Sequence, residues 1–159
     1  MRLTQWTDYT LRVLMYCAAS LERPEPVTIT EIAESHGISR SHLTKIVQEL
    51  AARGWLETTR GRGGGMRLLV SAKDISLGEV VRATETDFAM VECFDATLNQ
   101  CRLSQYCELK SVLNQATQSY LAVLDGVTLA DLVAPLASSS DLPKARRLHL
   151  IPGIPGSTV

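Results

Sequence analysis

The sequence predicts a mainly α-helical fold with a small β wing, that is, a winged helix-turn-helix followed by a long dimerisation helix. Three observations carry this prediction: two short amphipathic helices meet at a glycine turn, a glycine-rich hairpin follows them, and a long apolar stripe follows three clustered cysteines. The chain has 159 residues, of which 45% are hydrophobic, and this suits one folded unit with a buried core.

The first helix is expected to begin near Thr7 or Asp8, since the side chain of either can cap a helix. Four apolar residues follow at the spacing of one helix face and predict its buried side: Leu11, Leu14, Met15 and Ala18. Cys17 lies in the same run. Because free cysteine is among the most buried residue types, Cys17 is interpreted as a core residue.

The next two predicted helices form a helix-turn-helix. Thr28 and Glu31 have the spacing of a capping box at the start of the first, and Gly37 ends it in a tight turn. Ser39 can cap the second helix, which Gly54 ends. In this motif the second helix enters the major groove of DNA by its N-terminal end. The polar residues expected to face bases or phosphates, unless they are only a solvated helix face, are Ser39, Arg40, Ser41, His42, Thr44, Lys45 and Gln48.

A hairpin with a glycine-rich turn follows and is interpreted as a wing. Residues 55–60 and 66–70 are the expected strands, and residues 61–65 the turn. Arg60, Arg62 and Arg67 alternate with glycines, which would let the backbone approach phosphates while guanidinium groups bind them. A nucleotide-binding loop is disfavoured, because neither Gly-Lys-Ser/Thr at the start of a helix nor a βαβ unit is present.

The distribution of charge agrees with DNA contact by the first half of the chain. The formal net charge is only -1, but residues 1–73 carry ten Lys and Arg against seven Asp and Glu. Residues 74–159 carry six against ten. A basic first half is consistent with binding to phosphates.

Three cysteines, Cys93, Cys101 and Cys107, lie in one short stretch, with seven and then five residues between them. The sequence has no charged leader and no apolar run of about 18 residues, so we expect a cytoplasmic protein with reduced thiols. The cysteines therefore predict metal binding or redox chemistry. Paired Cys-x-x-Cys knuckles of structural zinc sites are absent. Three thiolates are also one short of the usual iron-sulfur site, so a fourth ligand must come from elsewhere in the chain, a partner subunit or solvent.

A long helix is predicted after the cysteines, capped by Ser104 and with Cys107 in its first turn, where backbone N–H groups favour a thiolate. Its apolar residues trace a heptad-like stripe: Leu109, Leu113, Ala116, Tyr120 and Val123, widened by Val112 and Leu124. A small domain has few places to bury such a stripe, which predicts a homodimer; packing on its own domain is the alternative. A dimer would present two recognition helices to a palindromic operator in double-stranded DNA.

The predicted organisation has four parts. Residues 1–86 form the DNA-binding domain, residues 87–107 the cysteine loop, residues 108–134 the dimerisation helix and a short helix bracketed by Thr128 and Asp131, and residues 135–159 a disordered tail. His36, His42 and His149 have no evident catalytic partner in a local motif, so we expect that the protein is not an enzyme.

Several segments together carry a family resemblance: residues 1–4, 7–9, 39–46, 60–68, 92–94 and 128–132. Over roughly residues 1–133 the chain resembles the Rrf-type winged-helix transcription regulators that carry iron-sulfur clusters. The resemblance implies that Cys93, Cys101 and Cys107 in the loop 87–107 hold a cluster, either 2Fe-2S or 4Fe-4S, and that the protein regulates transcription.

The fourth ligand distinguishes the branches of this family. IscR-like members have a histidine three residues beyond the last cysteine, where this chain has Lys110, which cannot ligate while protonated. NsrR-like repressors, which sense nitric oxide, have an aspartate in the first helix that reaches the cluster of the other subunit, and Asp8 matches it. RirA-like iron regulators share residues 88–90 and 92–94 but typically have asparagine at the place of Asp8.

The resemblance therefore favours a repressor that senses nitric oxide, with Asp8 as a cluster ligand. Asp8 as a simple helix cap, an iron-responsive RirA-like regulator and a zinc-stabilised DNA-binding module are the alternatives.

Overall fold

The computed structural model describes residues 2–95, 97, 99–103 and 106–138. Its helices and strands, in chain order, are α1 (Gln5–Ala19), α2 (Ile29–His36), α3 (Arg40–Ala52), β1 (Leu56–Thr59), β2 (Gly65–Leu68), α4 (Leu77–Thr84), a short 3-10 helix (Glu92–Phe94), α5 (Glu108–Asp125) and α6 (Leu129–Ser138). The predicted mainly α fold with a small β wing is confirmed.

Helix α1 begins one turn earlier than the apolar pattern suggested. Thr4 is its cap: the backbone there is extended and the hydroxyl accepts a hydrogen bond from the Thr7 N–H at 3.2 Å. Thr7 itself is fully buried inside the helix, so neither it nor Asp8 caps α1. Cys17 is 2% exposed, which confirms it as a core residue.

The helix-turn-helix follows its local signals. Thr28 and Glu31 form the capping box of α2, and Gly37 ends it with φ at 64°, a left-handed conformation that glycine adopts without strain. Ser39 caps α3, and Gly54 follows its last residues with φ at 76°. The side of α2 and α3 that faces the core is buried and consists of Ile32, Leu43, Ile46, Val47 and Leu50.

The wing is an antiparallel pair in which Leu56 lies opposite Leu68 and Thr59 opposite Gly65. Both strands are shorter than predicted. Trp55 is excluded from β1 because its N–H bonds to the Leu50 carbonyl at the end of α3. A third segment, which the sequence did not indicate, pairs with β2 through a bridge between Val27 and Met66.

Helices α4 and α6 complete the core by packing on α1. The Ser76 hydroxyl caps α4 by accepting the Glu79 N–H at 3.0 Å. Thr128 and Asp131 bracket the first turn of α6, as predicted, with the Thr128 hydroxyl 2.6 Å from the Asp131 carboxylate. Helix α6 continues through Pro135 to Ser138, so the predicted tail boundary at 134/135 is wrong; residues 139–159 lie outside the described part of the chain.

Helix α5 begins at Glu108, so Cys107 occupies its cap position and not its first turn. The predicted cap Ser104 lies outside the described residues. The helix packs on α4 through the side that contains the buried residues Thr117 and Leu121. Three residues of the predicted apolar stripe are not on this packed side and face water: Leu109, Val112 and Val123 are 61%, 58% and 68% exposed in the single chain.

Candidate nucleic-acid interface and cysteine segment

The predicted DNA-reading residues share the exposed face of α3 and its cap. The seven residues Ser39, Arg40, Ser41, His42, Thr44, Lys45 and Gln48 are all exposed, while the positions between them enter the core. Because the buried stripe fixes the rotation of the helix about its axis, it also fixes which side chains point outward. The side chains that the sequence predicted for DNA contact are therefore not used to pack the core.

Local hydrogen bonds order the first turn of this face. The Ser39 hydroxyl accepts the His42 N–H at 3.4 Å, and the Thr44 hydroxyl donates to the Arg40 carbonyl at 2.8 Å. Among the residues that the structure describes, Arg40 and Lys45 take part in no ion pair. Two cations at the N-terminal end of α3 are thus available for an anionic ligand.

The wing places two more cations beside this face. Arg60 and Arg62 are exposed at the turn, which Gly61 and Gly63 shape with φ values of 97° and 77°. A cleft of about 490 Å³ separates α3 from the wing, lined by Gln48 of the helix among others. Exposed guanidinium groups on a glycine-rich turn suit contact with a phosphate backbone.

Arg67 differs from the other two wing arginines. It is half-buried in β2, and its guanidinium donates hydrogen bonds to the main-chain carbonyl oxygens of Arg23, at 2.9 Å, and Pro24. The structure therefore places the predicted phosphate ligand Arg67 at the base of the wing, with two of its donors already engaged.

The three clustered cysteines lie on one irregular segment, and none of them is part of a disulfide among the described residues. Cys93 lies in the 3-10 helix and is half-buried, Cys101 is exposed, and Cys107 is half-buried at the N-terminal cap of α5. Side-chain bonds shape the segment: Glu92 accepts the Gln100 N–H at 2.6 Å, and Asn99 accepts the Cys101 N–H at 3.0 Å.

These thiols suit a soft metal or an iron-sulfur cluster in their chemistry. Within the described residues, which include all three cysteines, no three His, Cys, Asp or Glu side chains come close enough to hold a metal ion. Cys107 makes no side-chain cap bond and lies at a helix N-terminus, which favours a negatively charged ligand. An open cleft of about 1220 Å³ adjoins Cys107 and gives room beside it. The thiols therefore fit such a cluster by their chemistry, and holding one would require the three cysteines to come together and a further ligand to join them.

Asp8, the predicted fourth ligand, lies on α1. Its carboxylate accepts a hydrogen bond from Arg12 Nε at 3.0 Å, and the two side chains are 43% and 44% exposed. Its neighbour Tyr9 contacts the recognition helix α3, since the centroids of the Tyr9 and His42 rings lie 6.3 Å apart. Asp8 is thus one residue away from a direct contact with the exposed face of α3.

The fourth cysteine belongs to a different environment. Burial, and to a smaller extent the charge of Glu31, raises the pKa of Cys17 to about 12. A thiol of this kind stays protonated and is a poor metal ligand or nucleophile.

Sequence reasoning missed the contacts that join distant parts of the chain. The bonds from Arg67 span more than forty residues, and so does the ion pair between Arg82 and Asp125. The contact between Tyr9 and His42 also joins two helices, α1 and α3, that are separated in the sequence. No periodic signal marks such pairs in one sequence.

Within the described residues, no helix has the length and apolar character required to cross a membrane.

The chain matches the model of a known family, described as Rrf2, iron-dependent transcriptional regulator, over residues 3–135. An HTH-type transcriptional regulator NsrR of Bacillus subtilis (strain 168) is 56% identical over 134 residues, which are 84% of this chain and 90% of that protein. The NsrR of Bacillus licheniformis is 50% identical over 133 residues, 84% of this chain and 92% of that protein. The solved structure of oxidised Staphylococcus aureus CymR superposes with a TM-score of 0.67 at 25% identity, covering 84% of this chain and 97% of that one.

Proposed function

This chain belongs to the Rrf2 family of transcriptional regulators, as its sequence resemblance predicted, and we propose that it is a DNA-binding repressor whose operator binding is controlled by an iron-sulfur cluster that senses nitric oxide. One observation carries the proposal: the exposed face of α3 contacts, through Tyr9, the helix that also bears Asp8. The predicted metal ligand Asp8 is therefore the sequence neighbour of a residue, Tyr9, that contacts the predicted DNA-binding helix.

In this proposal α3 reads the major groove and the wing holds the phosphate backbone. Arg40 and Lys45 are cations at the end of α3 that enters the groove, and Arg60 and Arg62 extend the basic surface onto the wing. Such an arrangement gives the sequence-independent attraction to DNA as well as the contacts that select a sequence.

The regulator acts as a homodimer in this proposal. Leu109, Val112 and Val123 leave an apolar stripe on α5 facing water in the single chain, and pairing with a second copy would cover it. The two copies of α3 would then meet the two halves of a palindromic operator.

Cys93, Cys101 and Cys107 would hold the cluster, with Asp8 of the partner subunit as the fourth ligand. When bound, the cluster supplies iron that reacts with nitric oxide. A carboxylate is a harder ligand than a thiolate, so Asp8 would be the more weakly held of the protein ligands. In the single chain the Asp8 carboxylate bonds to Arg12, so in this proposal Asp8 would exchange Arg12 for the cluster.

Whether Asp8 binds the cluster or Arg12 would change the fraction of dimers that can bind DNA. While Asp8 is held across the dimer, it fixes α1, and Tyr9 on α1 supports the first turn of α3 through His42. With Asp8 paired to Arg12, as in the single chain, this restraint on the spacing of the two recognition helices would be absent and operator affinity would be lower. Genes for nitric oxide detoxification would then be expressed.

The family's description as iron-dependent favours a second candidate, an iron-responsive regulator with the same cluster. Titration with nitric oxide separates the two. We expect cluster-loaded protein to lose operator affinity as nitric oxide is added, whereas unchanged affinity together with loss of binding on iron removal would favour the iron sensor.

The first experiment is purification without oxygen, followed by visible absorption and analysis of iron and sulfide. We expect a coloured protein that contains both elements. A colourless protein with stoichiometric zinc would overturn the cluster and favour a zinc-stabilised DNA-binding module.

The role of Asp8 is tested by Asp8→Ala, with Asp74→Ala as the matched control, because Asp74 is an exposed carboxylate in a loop. Asp8→Ala should change the absorption spectrum and loosen the cluster while thermal unfolding stays close to that of the parent protein. If both variants keep the parental spectrum and nitric oxide response, Asp8 is not a ligand.

A further inference from the structure

We infer that Arg67 is a positioning residue, which fixes the wing against the linker between α1 and α2 and does not itself bind DNA phosphate. The linker is defined here as residues 20–28. This inference rests on the proposed DNA-binding function, but it does not depend on the cluster.

The first support is the pair of hydrogen bonds that Arg67 makes without DNA. Its two terminal nitrogens donate to consecutive main-chain carbonyls of the linker, those of Arg23 at 2.9 Å and of Pro24. A guanidinium is a planar fork of donors, so two simultaneous acceptors fix both its position and its orientation. A phosphate would have to compete with these acceptors.

The second support is that β2 pairs directly with the linker. The Val27 N–H donates to the Met66 carbonyl at 3.0 Å, and the Met66 N–H donates to the Val27 carbonyl at 2.7 Å. A Cβ on Gly65 would lie 2.5 Å from the Val27 carbonyl oxygen, so the close approach needs glycine there. Arg67 is the next residue of β2 after this bridge, and its hydrogen bonds hold the same contact between β2 and the linker.

The third support is that the linker is itself fastened to the helix-turn-helix. The Arg23 side chain pairs with Glu31 at 2.9 Å, and Glu31 accepts the Thr28 N–H at 2.7 Å within the capping box of α2. Helix α2 packs on α3. A bonded path therefore leads from Arg67 through the linker to the recognition helix, and it sets the angle at which the wing stands beside that helix.

The three arginines of the wing therefore have two different roles. Arg60 and Arg62 at the exposed turn present charge to DNA, and Arg67 at the base holds the turn in place. Loss of Arg67 should weaken DNA binding only because Arg60 and Arg62 are no longer well presented.

The test is a mutant cycle in DNA binding. The probe is a fluorescent duplex that this protein has itself selected from a random library, and affinity is measured over a range of salt concentrations. The variants are Arg67→Met, which keeps the aliphatic stem but removes the donors, the double variant Arg60→Ala/Arg62→Ala, and the triple combination.

We expect Arg67→Met to lower affinity roughly tenfold in the parent protein and to have little further effect when Arg60 and Arg62 are already replaced. The opposite result is an equal loss in both backgrounds, with the slope of log affinity against log salt falling by about 0.9 each time, as for a direct phosphate contact. That result would overturn the inference.

A second measurement uses the unaltered protein and needs no variant to fold. In the absence of DNA, the guanidinium protons of Arg67 and the amide proton of Met66 should exchange slowly with solvent, and those of Arg62 quickly. Fast exchange at Arg67 until DNA is added would also overturn the inference. If no duplex is bound at all, the proposed function fails, whereas slow exchange at Arg67 would still establish the clamp.

Discussion

Arg82 on α4 and Asp125 at the end of α5 form a bidentate ion pair, with Nη1 to Oδ1 at 2.5 Å and Nη2 to Oδ2 at 2.6 Å. The hydrogen bond from Arg82 lowers the pKa of Asp125 below its ordinary range. Beside the pair lies Gly78, where an added Cβ would be 1.9 Å from Asp125 Oδ1. The ion pair in this geometry therefore requires that residue 78 have no side chain.

The first prediction concerns Gly78→Ala. The new methyl group should displace the Asp125 carboxylate and cancel the gain that alanine normally brings to a helix. In an Asp125→Ala background the nearest obstruction is gone, and the Arg82 guanidinium, at 2.8 Å from the added Cβ, no longer has a carboxylate to hold it there, so Gly78→Ala should raise the melting temperature more than it does in the parent protein. Thermal unfolding of the four proteins measures this coupling, and equal shifts in both backgrounds would contradict it.

The second prediction concerns the capping box of α2. Burial raises the pKa of Glu31, but hydrogen bonds from Thr28 and Arg23 outweigh it and hold the pKa below its ordinary value of 4.5. The stabilisation is then fully present above that value and is lost as pH falls through the lower folded-state pKa. Glu31→Gln should lower the free energy of unfolding by about 1 kcal/mol at neutral pH.

Denaturant unfolding at several pH values checks this second prediction, with Glu34→Gln as control, since Glu34 is exposed on the same helix. The Glu31→Gln difference should shrink below pH 4.5, the ordinary value for glutamate. A difference that stays constant down to strongly acid pH would mean that the Glu31 charge does not stabilise the fold.

The third prediction concerns thiol reactivity in metal-free protein. Only a thiolate reacts with iodoacetamide, and with a pKa of about 12 the Cys17 thiol should remain unmodified at neutral pH. Cys93, Cys101 and Cys107 are accessible and should be alkylated, as mass spectrometry of the peptides would detect. All four should react after denaturation, and fast labelling of Cys17 in the native protein would contradict its burial.

The fourth prediction concerns the recognition helix. Lys45→Ala should weaken binding to the selected duplex and, if the ammonium contacts phosphate, lower the salt slope by about 0.9. Lys73 is also an exposed lysine, in the loop before α4 and outside the predicted DNA-reading face, so Lys73→Ala is the matched control and should leave affinity unchanged. Equal losses in the two variants would indicate a diffuse charge effect in place of a defined interface.

The features that the sequence predicted correctly are those encoded within a few residues. The Thr28 and Glu31 capping box, the Ser39 cap and the turn at Gly37 each depend on local backbone geometry, and the structure contains all three. The start of α1 was misplaced because Thr4 and Thr7 are both competent caps, and only the burial of Thr7 decides between them.

The sequence supplies candidate residues for the cluster site but not their arrangement in space. Chemistry identified the cysteines, and a family resemblance pointed to Asp8. Their mutual placement cannot follow from a segment without periodicity, since such a segment is shaped by side-chain bonds like that of Glu92 to the Gln100 N–H. Arg67 was assigned to phosphate because its charge is visible in the sequence, whereas its carbonyl partners forty residues away are not.

The acceptors that hold the wing are main-chain oxygen atoms, of Arg23 and Pro24, and every amino acid supplies such an oxygen. Replacing Pro24 would therefore leave both acceptors present, whereas inserting or deleting one residue between Ser20 and Val27 would shift them relative to Arg67. We therefore expect the wing to tolerate a substitution at Pro24 better than a change in the length of this linker.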